Sequence, residues 1–282
     1  MALPVGDCTL MVQQGDDMSD WLHALPVGWM AVVAFATTYL ATAGIYWLVM
    51  ALAKGDMARA FKGVTPGMLP PLGIMFGLLI AFVAAEVWGD LDHAHAAVNR
   101  EASALRAVVI LSSTFPGEPE KRLRGLITRQ IEDARNVEWP AMARRRATIG
   151  MIPAPLAEAV HITLSLPTTS GGQVAAQREI LSALETALDA RRQRILVSQS
   201  AVNWVKWSAL LAQAACALAA IAMVHCDNRL TAGLAMGLFG TAVAVCILVI
   251  TAHDRPFSGQ LGVHPTALLQ ILPNAASRGS SP

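Results

Sequence analysis

Apolar residues gather into four long blocks, at about Val27 to Ala53, Leu69 to Trp88, Val202 to His225 and Leu230 to His253. Each is long enough to carry a helix across a hydrocarbon core, which takes roughly 20 residues. Pro70 and Pro71 suit the first turn of the second helix, where a missing N–H would have had no partner anyway. Trp29, Trp204 and Trp207 fall near block ends, where indole rings favour the membrane interface. Lys206, close to the start of the third block, can lay its stem along apolar surface and raise its ammonium to the headgroups.

Between the second and third blocks the pattern changes to that of a water-exposed helical bundle. Leu91, Ala94, Val98, Leu105 and Val108 share one face of a helix that continues from the second block without a breaker and ends in SSTFPG. Leu123, Ile127 and Ile131 repeat at i, i+4 and mark a second helix. A turn around MIPAP leads to a short apolar segment near Leu156 to Leu166 and then to the loop PTTSGG. Leu181, Leu184, Leu188 and Ile195 stripe a last helix that runs toward the third block. No useful strand alternation is visible. The chain is therefore expected to be an all-α membrane protein with four transmembrane helices, two before and two after a helical extramembrane bundle continuous with spans two and three. In domain terms, residues 1–26 form an exposed acidic leader, 27–89 the first two transmembrane helices, 90–200 the insert, 201–253 the last two, and 254–282 a C-terminal segment whose polar end is disordered.

Composition agrees with the pattern. The chain is 54% hydrophobic and 15% charged, with a mean hydropathy of +0.47, outside the range of ordinary soluble domains. A formal net charge of +1 makes no case for a nucleic-acid partner. The bilayer is the partner that composition names. The four cysteines, Cys8, Cys216, Cys226 and Cys246, show no disulfide framework. Asp7, Asp16, Asp17 and Asp20 with no basic residue argue against a cleaved signal at the N-terminus.

Charge also bears on orientation. An even number of spans puts both termini and the insert on one side. The short loops carry Lys54, Arg59, Lys62 and Arg229, which favours those loops in the cytoplasm and the insert and termini outside. Arg191, Arg192 and Arg194 before the third span, and Arg255 after the fourth, pull the other way.

The candidate chemistry centres on EVWGDLDHAH, Glu86 to His95. On one helix Glu86, Asp90 and His93 share a face, Asp92 lies far round and His95 lands opposite Glu86. Asp90 and His93 at i, i+3 are weak candidates for two metal ligands, which would need a second helix to complete them; a solvated juxtamembrane surface is the reading these residues favour. Glu86, two residues before Trp88, stands at the interface or on a pathway through the membrane. Phe76, Ile80, Val83 and Val87 form a stripe that is either plain packing or, with Glu86, the lining of a pore constricted by apolar side chains. EWPAMARRR reads as a basic exposed helix end, or as a surface that attracts headgroups or anions. Nothing resembles a nucleophile elbow, a P-loop or a dinucleotide fingerprint, so no catalytic residue or cofactor is assigned.

Three phrases, GIMFGLLIAFVAAEVWGDLDHAHAAVNREASALR, EWPAMARRR and DRPFSGQLGVHP, resemble in order and separation the bestrophin-like DUF4239 membrane proteins of bacteria. The resemblance covers about Leu69 to Pro265 and is most specific at Trp88, Asp90, Arg100, Glu101, Ser103, Arg106, Glu138, Trp139, Pro140, Asp254, Arg255, Pro256 and Phe257. Neither His93 nor His95 stands at a family position. The resemblance implies a multi-pass protein of the bacterial inner membrane and likeness to bestrophins, oligomeric anion channels whose second span lines the pore. A homo-oligomer passing a small anion such as chloride is then the expected function. A non-conducting, membrane-anchored interaction or sensor module built on the insert is the alternative, with a membrane enzyme or an ion transporter behind it.

Overall fold

The computed structural model describes residues 25–54, 57, 61, 66–150 and 152–272. The acidic leader, Arg59 and Lys62 of the first short loop, and the polar C-terminal end lie outside the described residues. In chain order the helices are α1 (Val27–Leu52), α2 (Leu69–Leu111), α3 (Glu118–Asp133), α4 (Trp139–Ala143), α5 (Ala154–Leu164), α6 (Gly171–Ser198), α7 (Trp204–Val224), α8 (Arg229–His253) and α9 (Thr266–Leu269). Short 3-10 turns precede and follow α2, and a π-helical turn, Ala134–Glu138, joins α3 to α4. No strand occurs among the described residues. Helices α1, α2, α7 and α8 are long and apolar enough to cross a membrane.

Local chemistry explains the boundaries. The Asn203 side chain accepts from Val205 N at the start of α7, and that of Asn228 accepts from Leu230 N and Thr231 N at the start of α8. The loop PTTSGG is a helix cap: Ser170 Oγ accepts from Gln173 N at 3.2 Å, while Gln173 Oε1 accepts from Thr169 N at 2.8 Å. Continuity from membrane into insert holds for α2, a single helix of 43 residues. At the third span it is interrupted, because α6 stops at Ser198 and Asn203 opens a new helix with its own cap.

Two compact units result. One comprises the described residues up to Gly89 together with Ala201–Asp254; the other comprises Asp90–Ser200 together with the described residues from Arg255 onward. In the first, α1 packs on α8 through small side chains. Thr42 lies against Gly240, Ala34, Thr38 and Ala244 are buried as well, and Tyr39 Oη meets Thr241 Oγ1 at 2.8 Å. A second apolar cluster joins Phe76, Val83 and Val87 of α2 to Leu210 and Ala214 of α7 and to Val243 and Ile250 of α8. Phe76 and Phe239 stack at 5.5 Å between ring centroids.

The second unit has a core of its own. Ala94, Val98, Leu105 and Val108 of α2 meet Leu123, Ile127 and Ile131 of α3, Leu156 and Ala159 of α5, and Ile180, Leu184 and Ala187 of α6. The segment after α8 is a strap on this core, burying Phe257, Val263 and Leu268. The strap doubles back where Val263 N donates to Pro256 O. Gly262 permits that turn, since a Cβ there would lie 2.7 Å from Ser258 O.

Candidate functional site

The second unit holds a charge where an apolar side chain would be expected. Arg194 lies on the inner face of α6 with no exposed surface, one residue before the buried Ile195. Taking a guanidinium out of water is costly unless carboxylates and hydrogen bonds replace the lost hydration. Here they do. Arg194 Nε donates to Glu101 Oε2 at 2.7 Å, and Nη2 donates to Glu101 Oε1 at 3.1 Å and to Glu138 Oε2 at 2.7 Å. Nη1 points to the Met142 sulfur at 3.4 Å, and the guanidinium carbon sits 4.7 Å from the centre of the Trp139 ring. Arg191, one turn back, donates from Nε to Glu138 Oε1 at 2.7 Å. Two arginines from α6 thus hold carboxylates from α2 and from the π turn.

The π turn is what presents Glu138 and Trp139 together. Pro140 has no N–H to give to the preceding turn, and the wider turn over Ala134–Glu138 ends with Glu138 half-buried and Trp139 buried while Pro140 faces out. Trp139 Nε1 donates to Val263 O at 3.0 Å, and its ring meets Phe257 edge-on at 5.7 Å. The strap, the π turn, α2 and α6 therefore converge on one buried ionic centre. Burial pushes the Glu101 carboxyl above its ordinary range against the pull of Arg194. Burial also works against the charge on Arg194, but Glu101 and Glu138 outweigh it and hold the guanidinium protonated.

In the membrane unit, charge gathers at the ends of the spans. Asp254 Oδ1 accepts from Val202 N at 2.7 Å, tying the end of α8 to the chain entering α7. Lys206 Nζ donates to both oxygens of Glu86, at 2.5 and 2.6 Å, with both side chains about 43% exposed. The candidate pathway acid is therefore partnered within its own chain. Trp88 and Trp204 are exposed beside this pair in sequence, as interfacial anchors are.

The stripe read as packing or as a pore lining lies inside the chain's own helix packing. Phe76, Val83 and Val87 are 4–5% exposed and Ile80 is half-buried, all packed against α7 and α8 of the same chain. They pack α2 against α7 and α8. The uncovered face of α2 is the opposite one. Ile74, Leu78, Ala81 and Ala85 lie two residues back along the same spacing, about 200° round the helix, and all four are exposed, with Phe82 beside them. Beyond Gly89 that face continues as Asp92, Ala96, Asn99, Ser103 and Arg106, again all exposed.

The remaining sequence candidates divide. Asp90 is half-buried and His93 exposed, and among the described residues no group of three or more His, Cys, Asp or Glu side chains is placed to hold a metal. Arg100, Ser103 and Arg106 are exposed, Arg100 beside a polar groove of about 370 Å³ with Ser182, Glu185, Thr186 and Asp189. Glu101, Glu138, Trp139 and Phe257 meet at the ionic centre, and Asp254, Arg255 and Pro256 are buried next to it in sequence. Arg191, Arg194 and Met142 escaped the sequence reading as parts of a site. The available signal was an arginine at the inward position of a helix lined mainly by Ile, Leu and Ala.

Comparison with curated proteins and with solved structures returns no match. The family model of the bestrophin-like domain matches residues 36–268, from within α1 to within α9 and so including part of the first span, the other three spans and the ionic centre, and the chain belongs to that family.

Proposed function

We propose that this multi-pass membrane protein is an oligomeric ion channel for small anions such as chloride, with the uncovered face of α2 turned to the axis of a ring of subunits. One observation carries this function. A helix of 43 residues leaves a single face uncovered along its length, apolar through the membrane and small or polar beyond it. Membership of the bestrophin-like family, with its likeness to anion channels, points the same way. Ile74, Leu78 and Phe82 would form the apolar constriction, which controls passage by excluding water. Asn99, Ser103 and Arg106 would supply donors for an anion on the insert side, with Asp92 the acid among them. Phe82→Ala is expected to raise chloride efflux from vesicles several-fold at unchanged protein content; efflux equal to that of the parent would remove Phe82 from the pathway.

The insert, with its own core and its polar groove beside Arg100, favours one second function, a non-conducting interaction module. Vesicles that hold chloride as tightly with the protein as without it would leave that function in place of the channel.

For the orientation we propose the short loops in the cytoplasm, and the insert and termini outside the bacterial inner membrane. Lys54 and Arg229 support it, and two of the opposing arginines lose their weight because Arg191 and Arg194 are neutralised inside the insert. A single cysteine at the exposed Ser103, in a background without the four native cysteines, is expected to react with a membrane-impermeant maleimide added to whole spheroplasts. Labelling only after lysis would reverse the orientation.

A further inference from the structure

The arginine run after α4 is not used by the ionic centre, and its surroundings assign it a ligand. Arg145 adopts a left-handed backbone conformation, φ 56°, that folds the run back on the end of α6. Its Nη2 donates to Gln199 O at 2.8 Å, and the Gln199 side chain donates in return to Ala147 O at 2.9 Å. These two hydrogen bonds pin the loop and leave Arg144 and Arg146 on either side exposed. Arg192, on the last turns of α6, is exposed as well.

Arg144 and Arg146 have no carboxylate close by in sequence, and Arg192 has only Asp189, one turn back on α6. The sequence holds no Asp or Glu between Glu138 and Glu158, nor between Asp189 and Asp227. Glu138 is already engaged by Arg191 and Arg194. From Gln199 the chain runs into Trp204, the first residue of a membrane helix, over five residues, no more than about 18 Å of extended chain. Ile152 and Leu196, 65% and 49% exposed, add apolar surface to the same two segments. A pinned basic loop tethered this close to a membrane helix, with apolar side chains among its arginines, fits a phospholipid surface better than a soluble anion.

We infer that Arg144, Arg146 and Arg192 form a docking surface for the headgroups of anionic phospholipids. Each juxtamembrane arginine of this kind contributes about five-fold to the preference for an anionic over a zwitterionic lipid. The function proposed above is not needed for it.

The test is lipid retention by the full-length protein. Protein in neutral detergent is mixed with equal amounts of phosphatidylglycerol and phosphatidylcholine, passed through a sizing column, and its bound lipid counted by mass spectrometry. Phosphatidylglycerol is expected to be retained in preference. The triple variant Arg144→Gln, Arg146→Gln, Arg192→Gln is expected to lose that preference. Arg144→Lys is expected to keep it, and so is Arg178→Gln, whose exposed arginine sits near the other end of α6. Equal retention of the two lipids by the parent, or an unchanged preference in the triple variant, would overturn the inference. So would displacement of the lipid by glycerol phosphate at equal concentration, which would make this a site for a free phosphate and not for a membrane.

Discussion

Arg194→Leu is expected to destabilise the insert by about 3–5 kcal/mol, the range for breaking a buried ion pair from one side. The loss is not that of one hydrogen bond. It leaves Glu101, 1% exposed, without its bonded counter-charge, and it removes the group that joins α2 to the π turn and covers the face of Trp139. Arg194→Lys is expected to recover only part, because one ammonium cannot reproduce a fork serving two carboxylates at once. Removing both members, Glu101→Leu with Arg194→Leu, is expected to restore much of the stability, since an apolar pair has no charge to strand and Glu138 keeps Arg191. Thermal unfolding of the full-length protein in detergent checks the series. A double variant no more stable than Arg194→Leu alone would mean that the ionic centre is not acting as a charge-paired unit.

The same centre has a pH signature. Because burial raises the Glu101 carboxyl, the folded chain holds that proton at pH values where the unfolded chain has released it. This group's contribution to stability therefore falls as pH rises from the ordinary carboxylate value through the raised one, and is recovered on acidification. Glu101→Gln is expected to remove that part of the pH slope.

Gly240→Leu is expected to cost about 1–3 kcal/mol, as overpacking of a close contact does. A Cβ at position 240 would lie 2.9 Å from Thr42 Oγ1 and 3.6 Å from its Cγ2. Thr42 cannot easily turn away, because its hydroxyl donates to Thr38 O at 2.8 Å. In a bilayer, where apolar burial gives helices little reason to associate, such close approach of small residues is what holds α1 against α8. Gly240→Ala is expected to cost less and to be relieved by Thr42→Ala, which removes the contacting oxygen. Melting of the three variants in one detergent checks the contact; a leucine tolerated without loss would show that α1 and α8 do not pack here.

Much of the fold was legible because the bilayer and the helix period each impose a strong pattern. The four apolar blocks fall on α1, α2, α7 and α8, and the Leu105 and Val108 face of α2 is buried as its spacing predicts. The α6 core is less legible. Leu181 and Leu188 are half-buried, while the line that reaches the interior is Ile180, Leu184, Ala187, Ala190 and Arg194. Alanine marks a core only when a neighbour comes close, and arginine marks one only when its carboxylates are known. Both carboxylates are far away in sequence. The stripe of Phe76, Val83 and Val87 was visible, but periodicity names a face without naming what covers it. In this chain α7 and α8 cover it. The break between α6 and α7 depends on one cap, Asn203, which a continuous helical reading passes over.

The most direct measurement is chloride efflux from vesicles carrying an Ala85→Cys variant in a background without the native cysteines. Ala85 lies on the uncovered face of α2, one helical turn before Gly89. Efflux is expected before treatment, and a bulky negatively charged thiol reagent is expected to abolish it, whereas the same reagent leaves a cysteine at the buried Val83 unreacted and its efflux unchanged. Vesicles that pass no chloride, or efflux from Ala85→Cys that survives complete modification, would contradict a pore lined by this face.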